Sequence, residues 1–132
     1  MKNYFIGLLL LCASSLYADP VLVGHPGLAS QPLDDDDVRA VLLGKKVALG
    51  NVRIVIVIAR TGDAQNAFLQ AHVSMTTSQF QNHWRRLFMT GNGSAPKIVS
   101  TEAEACTFVA QTAGAVAITD SAAAGGLTVI GE

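Results

Sequence analysis

The chain has 132 residues, and its 9 Lys and Arg against 10 Asp and Glu leave a formal charge of −1. That length holds one compact domain and not two of ordinary size. A charge so close to balance builds no strong field of either sign, which excludes nucleic acid and an anionic membrane surface as natural partners.

Residues 1–18 read as an export signal. Lys2 supplies a short positive region, and Phe5 to Leu11 an apolar run too short to cross a bilayer. Small and polar residues follow, and Ala18 before Asp19 is the expected cleavage point. Cys12 also follows the apolar run, but lipid attachment there needs a small preceding residue, and Leu11 is not small. Removal of the signal leaves 132 − 18 = 114 residues and, with Lys2 gone, a charge of −2. The expectation is a periplasmic or secreted protein with no stable membrane insertion. Cys106 is then the single cysteine, so no internal disulfide forms and stability comes from a core. Cys106 reads as a small buried apolar residue on a helix, with a reactive or intermolecular thiol as the other reading.

Past the signal, residues 20–24 (PVLVG) form a short strand that His25-Pro26-Gly27 breaks, and Leu28 to Pro32 is a loop. A helix opens at Asp34, with Asp35, Asp36 and Asp37 in its positive first turn. Leu33 and Val38 are spaced as a hydrophobic staple. Val38, Val41 and Leu42 make the inner stripe, Gly44 ends the helix, and Lys45 and Lys46 sit at its negative end. Four consecutive aspartates suggest a cation site, but consecutive helix positions point in different directions and cannot converge on one ion. Val52 to Ala59 (VRIVIVIA) is the strongest strand, apolar on both faces after Arg53, as for a central strand covered by helices on both sides.

Arg60-Thr61-Gly62-Asp63 is the turn that follows. A helix from about Ala64 to His72 should bury Ala67, Phe68 and Ala71. The next opens with the capping-box pattern Thr76-x-x-Gln79 and should turn Phe80, Trp84, Leu87 and Phe88 inward, with Arg85 and Arg86 toward solvent. Gly91-Asn92-Gly93 stops it. Lys97 to Val99 is briefly extended. Thr101-x-x-Glu104 caps a last helix with Ala105, Phe108 and Val109 inside, which Gly114 ends. Val116 to Thr119 and Leu127 to Ile130 are the final strands. Strands alternating with helices predict an α/β layered domain with a parallel or mixed sheet.

In that order, VLVGHP, PLDDDDVRAVLLGKK, AQNAFLQAHV, FQNHWRRLFMTGNGSAPK and STEAEACTFVAQTAGAVAIT are the stretches that carry a resemblance. Their best marks are Leu-x-x-x-x-Val-Arg-x-Val-x-Leu-Gly-Lys, Trp-x-x-x-Phe-x-x-Gly, and the run from Thr107 to Thr119. Over residues 21–130 the chain resembles the phosphate ABC transporter substrate-binding protein family, of periplasmic-binding-protein type 2, and in particular its short single-lobe members. The resemblance implies one layered lobe over residues 19–132, a central mixed sheet flanked by helices. Full-length members close two such lobes on an anion held by backbone N–H groups, hydroxyls and an arginine, often at helix N-termini. Their ligand loop reads Arg-x-Asp-x-Ser-Gly-Thr; here the same place reads Arg60-Thr61-Gly62-Asp63-Ala64-Gln65-Asn66, so the arginine matches, the aspartate falls one place late and Ser-Gly-Thr is missing. The implied anion site is Arg60, Thr61, Gly62 and Asp63.

Three function classes follow. A binding module would hold phosphate or another small oxyanion at that turn, although Asp63 sets a negative charge at the same helix end. An accessory or interaction module would use the lobe's surface for a protein partner or for self-association, with the Leu127 to Ile130 edge as one place to pair. An enzyme is disfavoured: His25, His72 and His83 are scattered, and no HExxH, GxSxG, cysteine–histidine framework, metal-ligand spacing or cofactor motif is present. The expectation is an exported, non-catalytic interaction module, with weak oxyanion binding as the alternative.

Overall fold

Among the described residues, three of the four α-helices begin where the sequence offers a side-chain acceptor to the free N–H groups of the first turn. In the computed structural model, which describes residues 19–28 and 33–132, Asp34 accepts from the Asp37 N–H and starts helix α1 (Asp35–Leu43). Thr76 and Gln79 close a full capping box on α3 (Thr77–Met89), and Thr101 accepts from the Glu104 N–H on α4 (Glu102–Gln111). Only half of the expected box forms on α4, because the Glu104 carboxylate meets the Ser100 N–H rather than that of Thr101. Helix α2 (Asp63–Val73) has no side-chain cap of its own, since its N-cap is Gly62. The signal assigned to residues 1–18, with Cys12, and residues 29–32 of the expected loop lie outside the described residues.

The strands are β1 (Pro20–Gly24), β2 (Ala48–Leu49), β3 (Val52–Arg53), β4 (Val55–Ala59), β5 (Lys97–Val99), β6 (Ala115–Asp120) and β7 (Thr128–Gly131). Five of them make one mixed sheet in the order β5-β4-β6-β1-β7. Strand β4 runs parallel to β5 and to β6, while β1 is antiparallel to β6 and to β7. The chain is thus an α/β layered lobe. Two features of the sheet depart from expectation. The run Val52 to Ala59 is not one strand, since β3 folds back on β2 as a hairpin and Ile54 separates it from β4. The middle of the sheet is β6, with β4 beside it.

Period-two alternation places the two cores on opposite faces. Ile56 and Ile58 point into the larger one with Leu22, Val38, Val41, Leu42, Phe68, Leu69, Phe80, Trp84, Val116 and Ile118. Val57, Ala115 and Ala117 point the other way, against Ala105 and Val109 of α4. Burial of one of these large side chains stabilises the fold by roughly 1.5–3 kcal/mol.

Some expected faces turn. Helix α2 buries Ala64, Gln65, Phe68 and Leu69, while Ala67 and Ala71 are exposed, because Leu69 and not Ala67 shares the inward side with Phe68. On α3, Phe80 and Trp84 are buried and Leu87 half-buried, but Phe88 is 53% exposed. At 3.6 residues per turn, Phe88 lies about 80° round from Phe80, off the stripe that Phe80, Trp84 and Leu87 define. Cys106 is half-buried, beside a surface hollow that Ala110 and Leu127 also line.

The C-terminal end of α1 is closed by α3. Gly44 takes the left-handed conformation, with φ +81°, and its N–H bonds back into the last turn. Trp84 Nε1 donates to the Leu42 carbonyl at 2.9 Å, and His83 Nε2 donates to the Leu43 carbonyl at 2.9 Å. These satisfy carbonyls that have no partner within their own helix.

Candidate functional site

The turn from β4 into α2 carries Arg60, Thr61, Gly62 and Asp63, and it is fastened to the neighbouring turn from β5 into α4. The Arg60 N–H donates to the Val99 carbonyl at 2.9 Å, continuing the β4–β5 ladder by one bond. The Thr61 N–H and hydroxyl both donate to the Ser100 carbonyl, at 3.3 and 3.1 Å. Thr61 therefore spends both donors on the backbone. The Arg60 side chain is exposed, as is Asp63.

The first turn of α2 is not left open. Glu102, the first residue of α4, reaches across, and its carboxylate accepts from the Gln65 N–H at 2.7 Å. Gly62 lets it approach: a Cβ there would collide with the Glu102 carboxylate. The positive end of the helix dipole and one of its free N–H groups are thus engaged by a carboxylate of the same chain. Burial pushes the Glu102 pKa above the ordinary glutamate range. The bond from the Gln65 N–H opposes that shift, and the charges of Asp63 and Asp120 add to it. Asp120 itself caps the short turn after β6, accepting from the Ala122 N–H at 3.0 Å. Three carboxylates therefore influence one helix end.

Behind the turn lies a group that the sequence reading passed over. The Gln65 side chain is 1% exposed, and its amide pairs with the last residue of β4. Gln65 Oε1 accepts from the Ala59 N–H at 2.9 Å, and Gln65 Nε2 donates to the Ala59 carbonyl at 2.7 Å. Strand β4 pairs with β6 at Val55 and Ile56 but not at Ala59, so the amide serves Ala59 where no β6 partner reaches it. Gln65 Nε2 also donates to the Thr77 hydroxyl, which donates in turn to Asn66. End of strand, start of α2 and start of α3 are locked together. A buried Gln one turn into a helix looks like surface in a sequence, and only the spatial end of β4 reveals its partner.

Along α3, beside β5, runs a surface groove of about 540 Å³ lined by Arg60, Thr77, Gln81, Arg85, Phe88 and Ile98 among others. Arg60 thus faces a different recess from the one that its place in the sequence implied. Among the described residues no group of three His, Cys, Asp or Glu side chains is placed to share a metal ion, and no helix is long and apolar enough to cross a membrane.

No family model and no curated protein matches the chain. Its fold is similar to the crystal structure of an ABC-type phosphate transport receptor from Vibrio cholerae, with a TM-score of 0.54 over 86% of this chain and 45% of that one, at 12% identity. The chain spans less than half the length of that receptor. The likeness is one of fold: an α/β layered lobe with a mixed central sheet flanked by helices.

Proposed function

We propose that the protein is an exported, non-catalytic interaction module built on one lobe of this kind, working through contacts with another protein. The observation that carries the reading is the Glu102 carboxylate on the first turn of α2. A lobe that held a small oxyanion there would need open N–H groups and a positive surround. Here an internal carboxylate takes the Gln65 N–H, Thr61 has both donors committed, and Asp63 and Asp120 add negative charge. Export, read from residues 1–18, would place the module in the periplasm or outside the cell.

The alternative is weak binding of phosphate or another small oxyanion in a transporter-linked role, favoured by the exposed Arg60 and by the receptor's fold. Calorimetric titration of the protein with phosphate and sulfate separates the two. The interaction reading expects no saturable heat up to about millimolar concentration. Saturable micromolar binding that Arg60→Ala abolishes would overturn it in favour of the alternative.

A further inference from the structure

The groove between α3 and β5 combines three features that no internal contact uses up. First, it holds two cations, Arg60 and Arg85, both exposed. Among the described residues neither guanidinium takes part in a side-chain hydrogen bond or a salt bridge; the ion pair there joins Arg39 and Asp36. The chain has no Asp or Glu between Ala64 and Thr101, a run that includes all of α3 and β5, so no carboxylate lines the groove. Second, one wall is apolar: Phe88, 53% exposed, faces Pro96 and Ile98. Third, β5 is an edge strand paired only with β4. The Val99 carbonyl points to β4, where it accepts from Arg60, so strand alternation turns the N–H and C=O of Ile98 outward. Lys97 points to the opposite face, its ammonium 5.4 Å from the centre of the Phe108 ring. The two faces of this edge are chemically distinct.

A shallow groove beside a strand edge suits an extended chain better than a small molecule, which needs most of its surface enclosed. Its charge is complementary to carboxylates, which guanidinium groups bind through paired N–H donors. We propose that the α3–β5 groove docks an extended acidic segment of a partner protein: its backbone adds to the outer edge of β5, its carboxylates meet Arg60 and Arg85, and an apolar side chain packs against Phe88. This rests on the interaction reading above and names the chemistry of the partner.

The probe is a fluorescein-labelled heptapeptide with glutamate, phenylalanine and glutamate at alternate places and serine at the others, so that the three face one side of a strand. Fluorescence anisotropy with the full protein should show saturable binding that weakens as salt rises. Arg85→Glu and Arg60→Ala should each weaken it about tenfold or more, with circular dichroism unchanged because both side chains are exposed. A peptide with glutamines in place of glutamates should not bind. Absence of binding, or binding indifferent to both substitutions, overturns the groove while leaving the phosphate titration to judge the interaction reading by itself. Displacement of the peptide by inorganic phosphate at micromolar concentration overturns both, in favour of a free anion. Undiminished binding of a peptide N-methylated at its four serines and then at its other residues overturns the strand addition.

Discussion

Two helix ends in this lobe solve the same problem with different chemistry. At the C-terminus of α1, Trp84 and His83 of α3 donate to the carbonyls of Leu42 and Leu43, and the indole body fills the core at the same time. At the N-terminus of α2, the Glu102 carboxylate accepts from Gln65, with no large apolar body behind it and with Asp63 and Asp120 close enough to raise its proton affinity. The first closure couples a hydrogen bond to hydrophobic burial and stabilises the fold. The second satisfies an N–H but leaves a charge that is costly to bury. Structural seams favour the first arrangement, whereas a terminus filled by the second has its anion-attracting character cancelled from within.

The largest effect should come from emptying the α1 seam. Trp84→Ala should destabilise the protein by about 3–5 kcal/mol in urea unfolding, as for other large-to-small aromatic core changes. Trp84→Phe, which keeps most of the body and loses the donor, should cost less than half as much. Equal losses would mean that the bond to Leu42, and not the packing, dominates this end.

Removing the amide that supports the α2 turn should come next. Gln65→Ala strands the buried N–H and carbonyl of Ala59, and an unpaired buried group costs about 1–3 kcal/mol. An expected loss of about 3 kcal/mol, read by the same unfolding experiment, would set this turn below the α1 seam in stability. A negligible loss would show that water replaces the amide and that the turn is open.

The smallest effect is one of slope. The folded protein holds the Glu102 proton more tightly than the unfolded chain does. Its carboxyl therefore contributes stability at low pH that is lost as pH rises from the ordinary glutamate range through the raised value. Glu102→Gln keeps an acceptor for the Gln65 N–H and removes the charge. Wild-type stability relative to this variant should fall as pH rises out of the ordinary glutamate range and through the raised value, measured by urea unfolding at each pH. A wild type that gains on the variant as pH rises would mean that the helix dipole and N–H bond outweigh desolvation and the neighbouring carboxylates. The two helix ends would then differ less than argued.

Legibility in the sequence followed the range of the interactions. Asp34, Thr76 with Gln79, and Thr101 announce three helix starts, because a cap bonds within three residues of itself. The Phe80–Trp84 stripe and the apolar β4 run were visible because periodicity is local. Phe88 misled, since an apolar residue at helical spacing reads as core whether or not a neighbouring element covers it. The Val52 to Ala59 run misled because a hairpin and a sheet strand draw on the same β-branched residues. Glu102 and Gln65 were invisible as partners: 37 residues separate them, and nothing near either one marks the meeting.

By itself the sequence determined the α/β layered class, the order of the elements apart from the β2–β3 hairpin, and most of the caps, since these depend on residues within a turn or two of one another. Only the tertiary structure decided that a carboxylate of α4 fills the start of α2 and that Arg60 faces the α3–β5 groove. The physical reason is that the sheet places the turns after β4 and β5 side by side, and contacts between separate turns are set by strand order and register, which are global properties of the packed chain.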